Sequence, residues 1–441
     1  QLVFFIFTSF VGSSLGGNVY ATLSYQSSDD YNPQLVTFVL DRSLNKDRSA
    51  ILGIDQAGNL VYNLSTIEYD YGDLVLGKED LWEAHPVEGG EKFLLLTNML
   101  YEIWGNGTLY KNYSRILLDQ GYDVQTGWSA DRLPNDHTIT IAMNYTNAEK
   151  TEVDLSSLFV IELNESDHVV WTWNPWDWYS PPDVINETSG LPISKPDWSL
   201  LDWTHLNDID RIYYQPPYIN ASTDPEFGYT LISFRNFGVS NRQRDYNGTD
   251  HAVNWTDTHD PVFIINSTGH TVWSFGKGIL DHQHNPDFLP DNKIIVSDSK
   301  NNVVLEVDCF SKQIIWECAF TPNASSSDFQ WPRDADITPY GTILICDTHN
   351  HRIVEVTHDK EVVWEYVLPI DSVPGSVDRD WVFVFPPTVE PVGNYTDTIF
   401  VSHISTVVLT TAIAPGFTIL TSLLVIPIIL LYRRKNTFPK F

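Results

Sequence analysis

Short apolar runs recur along the chain, and each is followed by polar turn residues and then by a segment that closes on Trp or Tyr. Runs of this length bounded by turns are typical of β-strands, whereas apolar residues at helical spacing are almost absent from the body of the chain. The repeat occupies residues 51–62, 158–171, 262–273, 303–316 and 353–364, and a less regular copy contains Leu109 and Tyr110. The pattern predicts an all-β protein built from repeated hairpins.

A second repeated phrase precedes several of these hairpins. Asp131, Asp287 and Asp336 each begin a four-residue segment that ends in Pro and leads through a polar turn into an alternating strand. The last two copies lie about 50 residues apart, which is the period of four-stranded propeller blades. A β-sandwich is the alternative, but it would not repeat a phrase at fixed register. We therefore predict a β-propeller over residues 22–403, with room for about six blades and with its longest insertions between residues 171 and 273.

The fixed register also predicts a pocket. Trp128, His284 and Arg333 each stand three residues before the Asp of the phrase, and His85 precedes an apolar strand in a similar loop. Equivalent positions of successive propeller blades converge on the central axis, and a ring of large or basic side chains there makes a binding pocket. We expect Trp128 and Arg333 to contact a substrate in this pocket.

Both ends of the chain indicate a membrane. Residues 404–432 carry no charge and are rich in Leu, Ile, Val and Thr, which is long enough to span a bilayer as one helix. The basic residues that begin the 433–441 segment predict a cytoplasmic tail and an extracytoplasmic propeller. Residues 1–21 read as the end of a signal peptide or as the tail of a first membrane segment.

Charge and composition narrow the partners. The net charge of -31 opposes binding to nucleic acid and to anionic lipid, so an anionic substrate would need local positive charge. Three cysteines allow at most one disulfide and do not form a zinc motif. Sequons for N-glycosylation agree with export; they occur at Asn63, Asn106, Asn112, Asn144, Asn164, Asn186, Asn220, Asn247, Asn254, Asn266, Asn323 and Asn394.

Four short motifs follow one another between residues 202 and 289. They are D-W-x-H-x-N at residues 202–207, S-x-R-N at 233–236, V-W-x-x-G at 272–276 and Q-H-x-x-x-x-L at 283–289. In this order they resemble the arylsulfate sulfotransferase family, closely over residues 202–298 and more loosely over 50–370. The resemblance implies a six-bladed propeller that moves a sulfuryl group from an aryl sulfate to a phenolic acceptor, without a metal or other cofactor.

The resemblance also assigns roles to residues. His284 would be the nucleophile that carries the sulfuryl group, and His205, Asn207 and Arg235 would hold the sulfuryl oxygens, with His85 as a further histidine from an earlier blade. The family commonly has Asp after the nucleophile, whereas this chain has Asn285. The chemistry fits the assignment, since a neutral imidazole is a nucleophile near neutral pH and a planar guanidinium matches developing oxyanion charge.

Other interpretations of these residues, structural and non-catalytic, stay open at this point. A histidine near a tryptophan is most often a packed or surface residue, and Arg235 alone would be read as a salt-bridge partner. His282 and His284 could ligate a metal if they lie on one strand face. The aromatic residues between Trp171 and Tyr179 could line an aryl pocket, but packing is the simpler explanation. A non-catalytic, membrane-anchored propeller that serves as a binding or surface-assembly module is the alternative function.

Overall fold

In the computed structural model of the chain, all described residues fall within Gln26–Tyr395. The described residues are 36–40, 50–54, 60–64, 66–69, 72–75, 83–87, 92–97, 99–145, 153–180, 183–186, 188–189, 203–237, 242–244, 250–254, 259–320, 328–338, 340–350, 352–367 and 389–391. The predicted N-terminal segment 1–21, the transmembrane helix 404–432 and the tail 433–441 lie outside them. Within the described ranges, no helix is long and apolar enough to cross a membrane.

The fold is an all-β propeller, as the repeats predict. Five blades are antiparallel four-stranded sheets, each taken from one stretch of chain. Blade 1 contains β6 (Glu83–Val87), β7 (Lys92–Leu96), β8 (Leu100–Trp104) and β9 (Leu109–Asn112), and blade 2 contains β10 (Val124–Arg132), β11 (Thr138–Tyr145), β12 (Val153–Leu163) and β13 (Val169–Trp173). Blade 3 contains β15 (Leu206–Ile212), β16 (Tyr229–Phe234), β19 (Val262–Asn266) and β20 (Thr271–Phe275). Blade 4 contains β21 (His284–Leu289), β22 (Lys293–Asp298), β23 (Val303–Asp308) and β24 (Gln313–Cys318), and blade 5 contains β25 (Pro332–Ile337), β26 (Ile343–Asp347), β27 (Arg352–Val356) and β28 (Val362–Val367).

A further four-stranded sheet, here the closing sheet, joins the two ends of the propeller region. It pairs β29 (Val389–Pro391) with β1 (Val36–Leu40), followed by β2 (Ala50–Ile54) and β3 (Leu60–Leu64). Strand β29 contacts blade 5, and β1 contacts blade 1. Most side chains of the closing sheet lie outside the described residues, and its service as a sixth blade stays a prediction.

Three smaller features decorate the blades. The hairpin of β4 (Thr66–Tyr69) and β5 (Gly72–Val75) precedes blade 1, and the helix α1 (Tyr113–Asp119) links blades 1 and 2. Asn112 caps α1, because its side-chain oxygen accepts from the backbone N–H of Arg115 at 2.9 Å. The predicted insertion forms a three-stranded sheet of β14 (Asp183–Ile185), β18 (Asp250–Asn254) and β17 (Arg242–Arg244).

The core lies between neighbouring blades. Alternate apolar side chains of one sheet meet those of the next, so that Ile232, Phe234 and Phe263 of blade 3 pack with Ile141 and Val160 of blade 2. The cysteines belong to this core: Cys309, Cys318 and Cys346 are all buried and free of disulfide bonds. Burial raises the pKa of the Cys309 thiol to about 12, so this side chain packs as a small apolar group.

The first strands of blades 2 to 5 share an irregularity. The pairing register shifts between Thr126 and Ala130 in β10, between Leu206 and Asp208 in β15, between His284 and Asp287 in β21, and between Pro332 and Asp334 in β25. These strands contact one another from blade to blade. A β-bulge inserts an extra residue and re-aims the local side chains. The irregularity therefore acts on the stretches that contain the predicted pocket residues.

Candidate active site

His205, Trp128 and Arg235 form one contact group. The Trp128 and His205 rings are stacked, with centroids 4.5 Å apart. The Nη1 of Arg235 lies 3.0 Å from Nε2 of His205. A guanidinium only donates hydrogen bonds, so Nε2 of His205 is the acceptor and its proton resides on Nδ1. The structure thus brings together three of the residues that the sequence analysis singled out, from blades 2 and 3.

Trp203 explains how the turn before β15 presents His205. Its ring is fully buried and packs edge-on to Trp176 at 5.3 Å and near Phe237 at 6.2 Å. The backbone N–H of Arg235 donates to the His205 carbonyl at 3.1 Å, and the N–H of Asn236 donates to Thr204 at 3.2 Å. The Trp of the D-W-x-H motif is therefore an anchor, and the two backbone hydrogen bonds place the histidine beside the arginine.

His284 lies at the start of β21 and is 3% exposed. Its Nδ1 lies 2.7 Å from the Ser299 hydroxyl, which in turn lies 2.5 Å from the Pro332 carbonyl. A carbonyl only accepts, so the single hydroxyl proton goes to Pro332 and Ser299 accepts from His284. In the neutral ring the proton is then on Nδ1, and Nε2 carries the lone pair. Ser299 fixes the tautomer that a nucleophilic imidazole needs.

The electrostatic surroundings keep this imidazole neutral. Burial lowers the pKa of His284 well below its usual value, and the positive charges of Arg333 and Arg235 lower it further, with smaller effects from His205 and His282. A neutral, oriented imidazole among cationic groups can attack an electrophile that carries negative charge.

Asn207 and Gln283 join blades 3 and 4 beside His284. The Asn207 amide donates to the Gln283 carbonyl at 2.9 Å, and the Gln283 amide donates to the Ser233 hydroxyl at 3.2 Å. Buried polar atoms without a hydrogen-bond partner among the described residues gather here; they are Oγ1 of Thr204, Oδ1 of Asn207, Oε1 of Gln283 and Oγ of Ser297. Such atoms are rare in proteins and are frequent at functional sites. Part of the amide capacity predicted for sulfuryl binding by Asn207 is used between the blades.

Backbone conformation sets the same region apart. Four non-glycine residues near the site have positive φ angles: His205 at 44°, His282 at 55°, Asn285 at 38° and Trp331 at 55°. Positive φ is unfavourable for side chains other than Gly, Asn and Asp, and it persists where the surrounding structure enforces it. Asn285, at the position where the family commonly has Asp, suits this conformation.

His85 contacts an aspartate at the wall of a cavity. Its Nε2 lies 3.0 Å from Asp131, and the pair lines a cavity of about 240 Å³. Asn285, the residue that follows His284, lines the same cavity. A role for His85 as a further histidine of the sulfuryl site stays a prediction.

The cavity is acidic. Seven carboxylates from the first strands of blades 1 to 5 line it: Glu83, Asp131, Asp208, Asp210, Asp287, Asp334 and Asp336. Burial raises the pKa of Asp210 to about 6, and burial together with neighbouring carboxylates raises the pKa values of Asp208 and Asp287 well above the usual range. The carboxylates of Asp287, Asp334 and Asp336 lie within 4.8 Å of one another, and this is the group in the described part that could hold a cation. The alternative pair of metal ligands, His282 and His284, does not belong to it.

The structure also bears on the aromatic residues between 171 and 179 and on the sequons. Among the aromatic residues from Trp171 to Tyr179, Trp173 and Tyr179 are buried in the core at 3% and 9% exposure, whereas Trp178 is 37% exposed, so packing accounts for most of this segment. The sequon Asn266 is a correction: its side chain is 9% exposed and its amide donates to the Ser222 carbonyl at 3.2 Å, which leaves no room for a glycan. Asn106, Asn186 and Asn220 are exposed as predicted.

Sequence reasoning missed Ser299 and the structural role of Gln283. Ser299 lies fifteen residues after His284, in the short 3-10 turn Ser299–Asn301 that follows β22. The pairing of β21 with β22 places His284 opposite Ser297, so a strand assignment with register would have pointed to this turn. The contact to Pro332 of blade 5 requires the three-dimensional arrangement of the blades.

Part of this chain is similar in sequence to a known protein family. The family model for arylsulfotransferases (ASST) matches residues 22–216. This match supports the resemblance to the arylsulfotransferase family that the sequence motifs indicate. The match includes Trp128, His205 and Asn207 and ends before Arg235, His284 and Arg333, so it overlaps only the first of the four motifs. A search of curated proteins gives no match.

Solved structures are similar in architecture only. A protein of unknown function from Bacteroides caccae is 11% identical, with a TM-score of 0.45, over 75% of this chain and 93% of its own. The WD40 β-propeller domain of Doa1 is 9% identical, with a TM-score of 0.37, over 79% and 87%. A virginiamycin B lyase from Staphylococcus aureus, solved with quinupristin, is 10% identical, with a TM-score of 0.38, over 77% and 90%. At these values no functional conclusion is drawn.

Proposed function

We propose that this arylsulfotransferase-family protein transfers a sulfuryl group from an aryl sulfate to a phenolic acceptor through a covalent intermediate on His284. The family supports sulfotransfer between aromatic molecules in general terms. The observation that carries the finer proposal is the chain of hydrogen bonds from His284 through Ser299 to Pro332, which leaves the Nε2 lone pair available.

The chemistry is balanced in two steps. In the first step Nε2 of His284 attacks sulfur, the bond between sulfur and the aryl oxygen breaks, and an aryloxide leaves. The intermediate is a sulfo-imidazolium whose Nδ1–H still donates to Ser299. In the second step the acceptor oxygen attacks sulfur, and the electron pair of the S–N bond returns to Nε2. The transfer is thus divided into two easier displacements, which predicts ping-pong kinetics.

The cationic groups supply what the transition state requires. Negative charge spreads over the three sulfuryl oxygens as the group transfers, and preorganised donors stabilise it most where water is excluded. We assign to those oxygens Arg235, which contacts His205, and Arg333, which lies at the register shift of β25. Trp128, stacked on His205, provides an aromatic face at the same place.

Mass spectrometry after quenching tests the proposal. The protein is mixed with 4-nitrophenyl sulfate without an acceptor, and the peptide that contains His284 should gain one sulfuryl group. His284→Ala should lose both the adduct and turnover, with the unfolding transition little changed. His270→Ala, which removes an exposed histidine on the outer side of blade 3, should behave as the wild-type protein.

An adduct on a different peptide, or wild-type rates in His284→Ala, would end the proposal. Absence of both adduct and turnover with a wide set of aryl sulfates would favour the non-catalytic binding module instead.

We further propose that the propeller is extracytoplasmic and tethered by a helix over residues 404–432. The uncharged composition of that stretch and the basic residues that follow it support this orientation. The exposed sequons agree with it. Protease treatment of intact cells should remove the propeller, and a propeller protected from the protease would contradict the orientation.

A further inference from the structure

A phenolic acceptor must lose a proton during the second step, and this inference rests on the proposed function. His205 is poorly placed to take that proton, because Arg235 donates into its Nε2 at 3.0 Å. His85 is held by Asp131 in the acidic cavity. His284 itself carries the sulfuryl group at that stage. A different base is therefore needed near His284.

His282 has the geometry of such a base. Its Nδ1 lies 2.5 Å from Oδ1 of Asp281, and Lys300 contacts the other oxygen of Asp281 at 2.7 Å. The backbone N–H of Asp281 donates to Asp298 at 2.8 Å, which fixes the turn. The pKa of Asp281 is lowered: hydrogen bonds from Lys300 and His282 outweigh the upward effect of burial. The ionised carboxylate only accepts, so the His282 proton is on Nδ1 and the lone pair is on Nε2.

The position of His282 relative to the nucleophile follows from shared neighbours. The rings of His282 and His284 lie 6.1 Å and 6.3 Å from the Trp331 ring. Arg235 lowers the pKa of both histidines, and His282 also lowers the pKa of His284. His282 is only partly buried, with 18% of its side chain exposed, so an acceptor can reach it. Its positive φ is held in place beside the site.

We propose that the Asp281–His282 pair is the general acid and base of the sulfuryl exchange. Nε2 of His282 takes the phenolic proton as the acceptor oxygen attacks sulfur and as the S–N bond to His284 breaks. The proton then goes to the aryloxide that leaves in the next first step. Asp281 holds the imidazole in the required tautomer and stabilises its protonated form, as carboxylates do in other acid–base pairs.

The charges around His282 predict its pH behaviour. Burial lowers its pKa from the usual value near 6.5, Arg235 lowers it further, Asp281 opposes this change, and Lys300 adds to the lowering. The neighbouring His284 is neutral before attack. His282 is therefore unprotonated at neutral pH and ready to accept a proton. Turnover limited by the second step should fall as the pH drops below this pKa.

The test separates the two half-reactions. His282→Asn keeps a residue that tolerates positive φ and an amide that can donate to Asp281, but it has no basic nitrogen. With 4-nitrophenyl sulfate, a donor with a good leaving group, the burst of 4-nitrophenolate should change less than about threefold. Turnover with unsubstituted phenol should fall about 100-fold, the usual order for a lost general base, and the acidic limb of its pH profile should disappear.

Two additional measurements complete the design. Added imidazole should restore part of the turnover of His282→Asn, and Asp281→Asn should show a smaller loss of the same kind. The control is His270→Ala, which should match the wild-type protein. Turnover of His282→Asn within about threefold of wild type, with an unchanged pH profile, would overturn the inference while the burst still supports the proposed function. Absence of a burst in the wild-type protein would instead reject the proposed function, and the inference with it.

Discussion

Two regions of opposite charge lie on or beside the first strands of the blades. One holds His205, Arg235 and His284, with Arg333 nearby, and the other holds seven carboxylates around a cavity. Neighbouring residues of the same strand belong to different regions. His284 and Arg333 belong to the cationic region, whereas Asn285 and Asp334, the residues that follow them, line the acidic cavity. The cationic region contrasts with the net charge of -31 of the whole chain.

The two regions differ in the regularity of the strands that contribute to them. Blades 2 to 5 have a register shift at this point, whereas β6 of blade 1 pairs regularly and supplies Glu83 and His85 to the acidic cavity. A regular strand alternates its side chains between two faces, and a bulge interrupts that alternation. In blades 3 to 5 the bulges coincide with the stretches where residues of the cationic region stand next to residues that line the cavity.

The largest effect is expected from altering the cationic region at Arg235. Arg235→Lys keeps the charge but loses the planar fork that contacts His205 and that we propose to hold the sulfuryl oxygens. We expect kcat/KM for sulfuryl exchange to fall by roughly two to three orders of magnitude, comparable with a lost oxyanion donor, without a change in the unfolding transition. Arg115→Lys, an exposed arginine in α1, is the matched control. Wild-type kinetics in Arg235→Lys would remove the arginine from the mechanism.

A smaller effect is expected from Ser299, which connects the cationic region to blade 5. Ser299→Ala removes the acceptor for the His284 Nδ1 proton, so the ring can adopt the tautomer with Nε2 protonated. We expect kcat/KM to fall by about 10-fold to 100-fold, the equivalent of one lost buried hydrogen bond. Nitrogen-15 NMR of the imidazole should report the altered tautomer. Ser299→Thr retains the hydroxyl and should restore both readouts; failure of this rescue would indicate a purely structural role.

The smallest effect concerns stability in the acidic region. Burial raises the pKa of Asp287 above its value in the unfolded chain, so the folded state binds more protons and the free energy of unfolding falls as the pH rises above about 4. The wild-type protein should therefore be more stable near pH 5 than near pH 7.5. Asp287→Asn should add about 1 to 2 kcal/mol at neutral pH and flatten the pH dependence, measured by urea unfolding.

The neighbouring Asn285 offers the reverse substitution. Asn285→Asp adds a carboxylate to the same cavity and should lower the free energy of unfolding at neutral pH by about 1 kcal/mol. The opposite signs of the two variants make the comparison specific for charge in the cavity. Equal shifts in the same direction would show that packing, and not repulsion among carboxylates, dominates.

Much of the architecture follows from the chain alone. The hairpin repeat and the Asp-x-x-Pro phrase predict the blades because a propeller uses the same local unit repeatedly. The contact group of Trp128, His205 and Arg235 joins residues that the sequence analysis singled out. The contact between His85 and Asp131 could not be predicted from the sequence, because it joins residues of two different blades.

The acid–base and tautomer network is harder to foresee. Asp281 and His282 are adjacent in sequence, but their significance depends on Lys300 and Trp331, which come from a later turn and from the next blade. Likewise, the fixed proton of His284 depends on the Pro332 carbonyl. Hydrogen bonds across blade boundaries decide which nitrogen is basic, and no local sequence pattern encodes them.

The closing sheet has a consequence for biosynthesis. Its β1 pairs Val36, Thr37 and Phe38 with Pro391, Glu390 and Val389, residues that are made more than 300 positions later. The pairing of β1 with β29 therefore cannot form until almost the whole chain has left the ribosome. The loop-closure entropy that this contact costs is the last to be lost during folding. Until then β1 presents an unpaired strand edge, which is prone to association with other chains. A truncation just before Val389 would leave every blade residue in place and still produce a protein that cannot close, with aggregation as its expected fate.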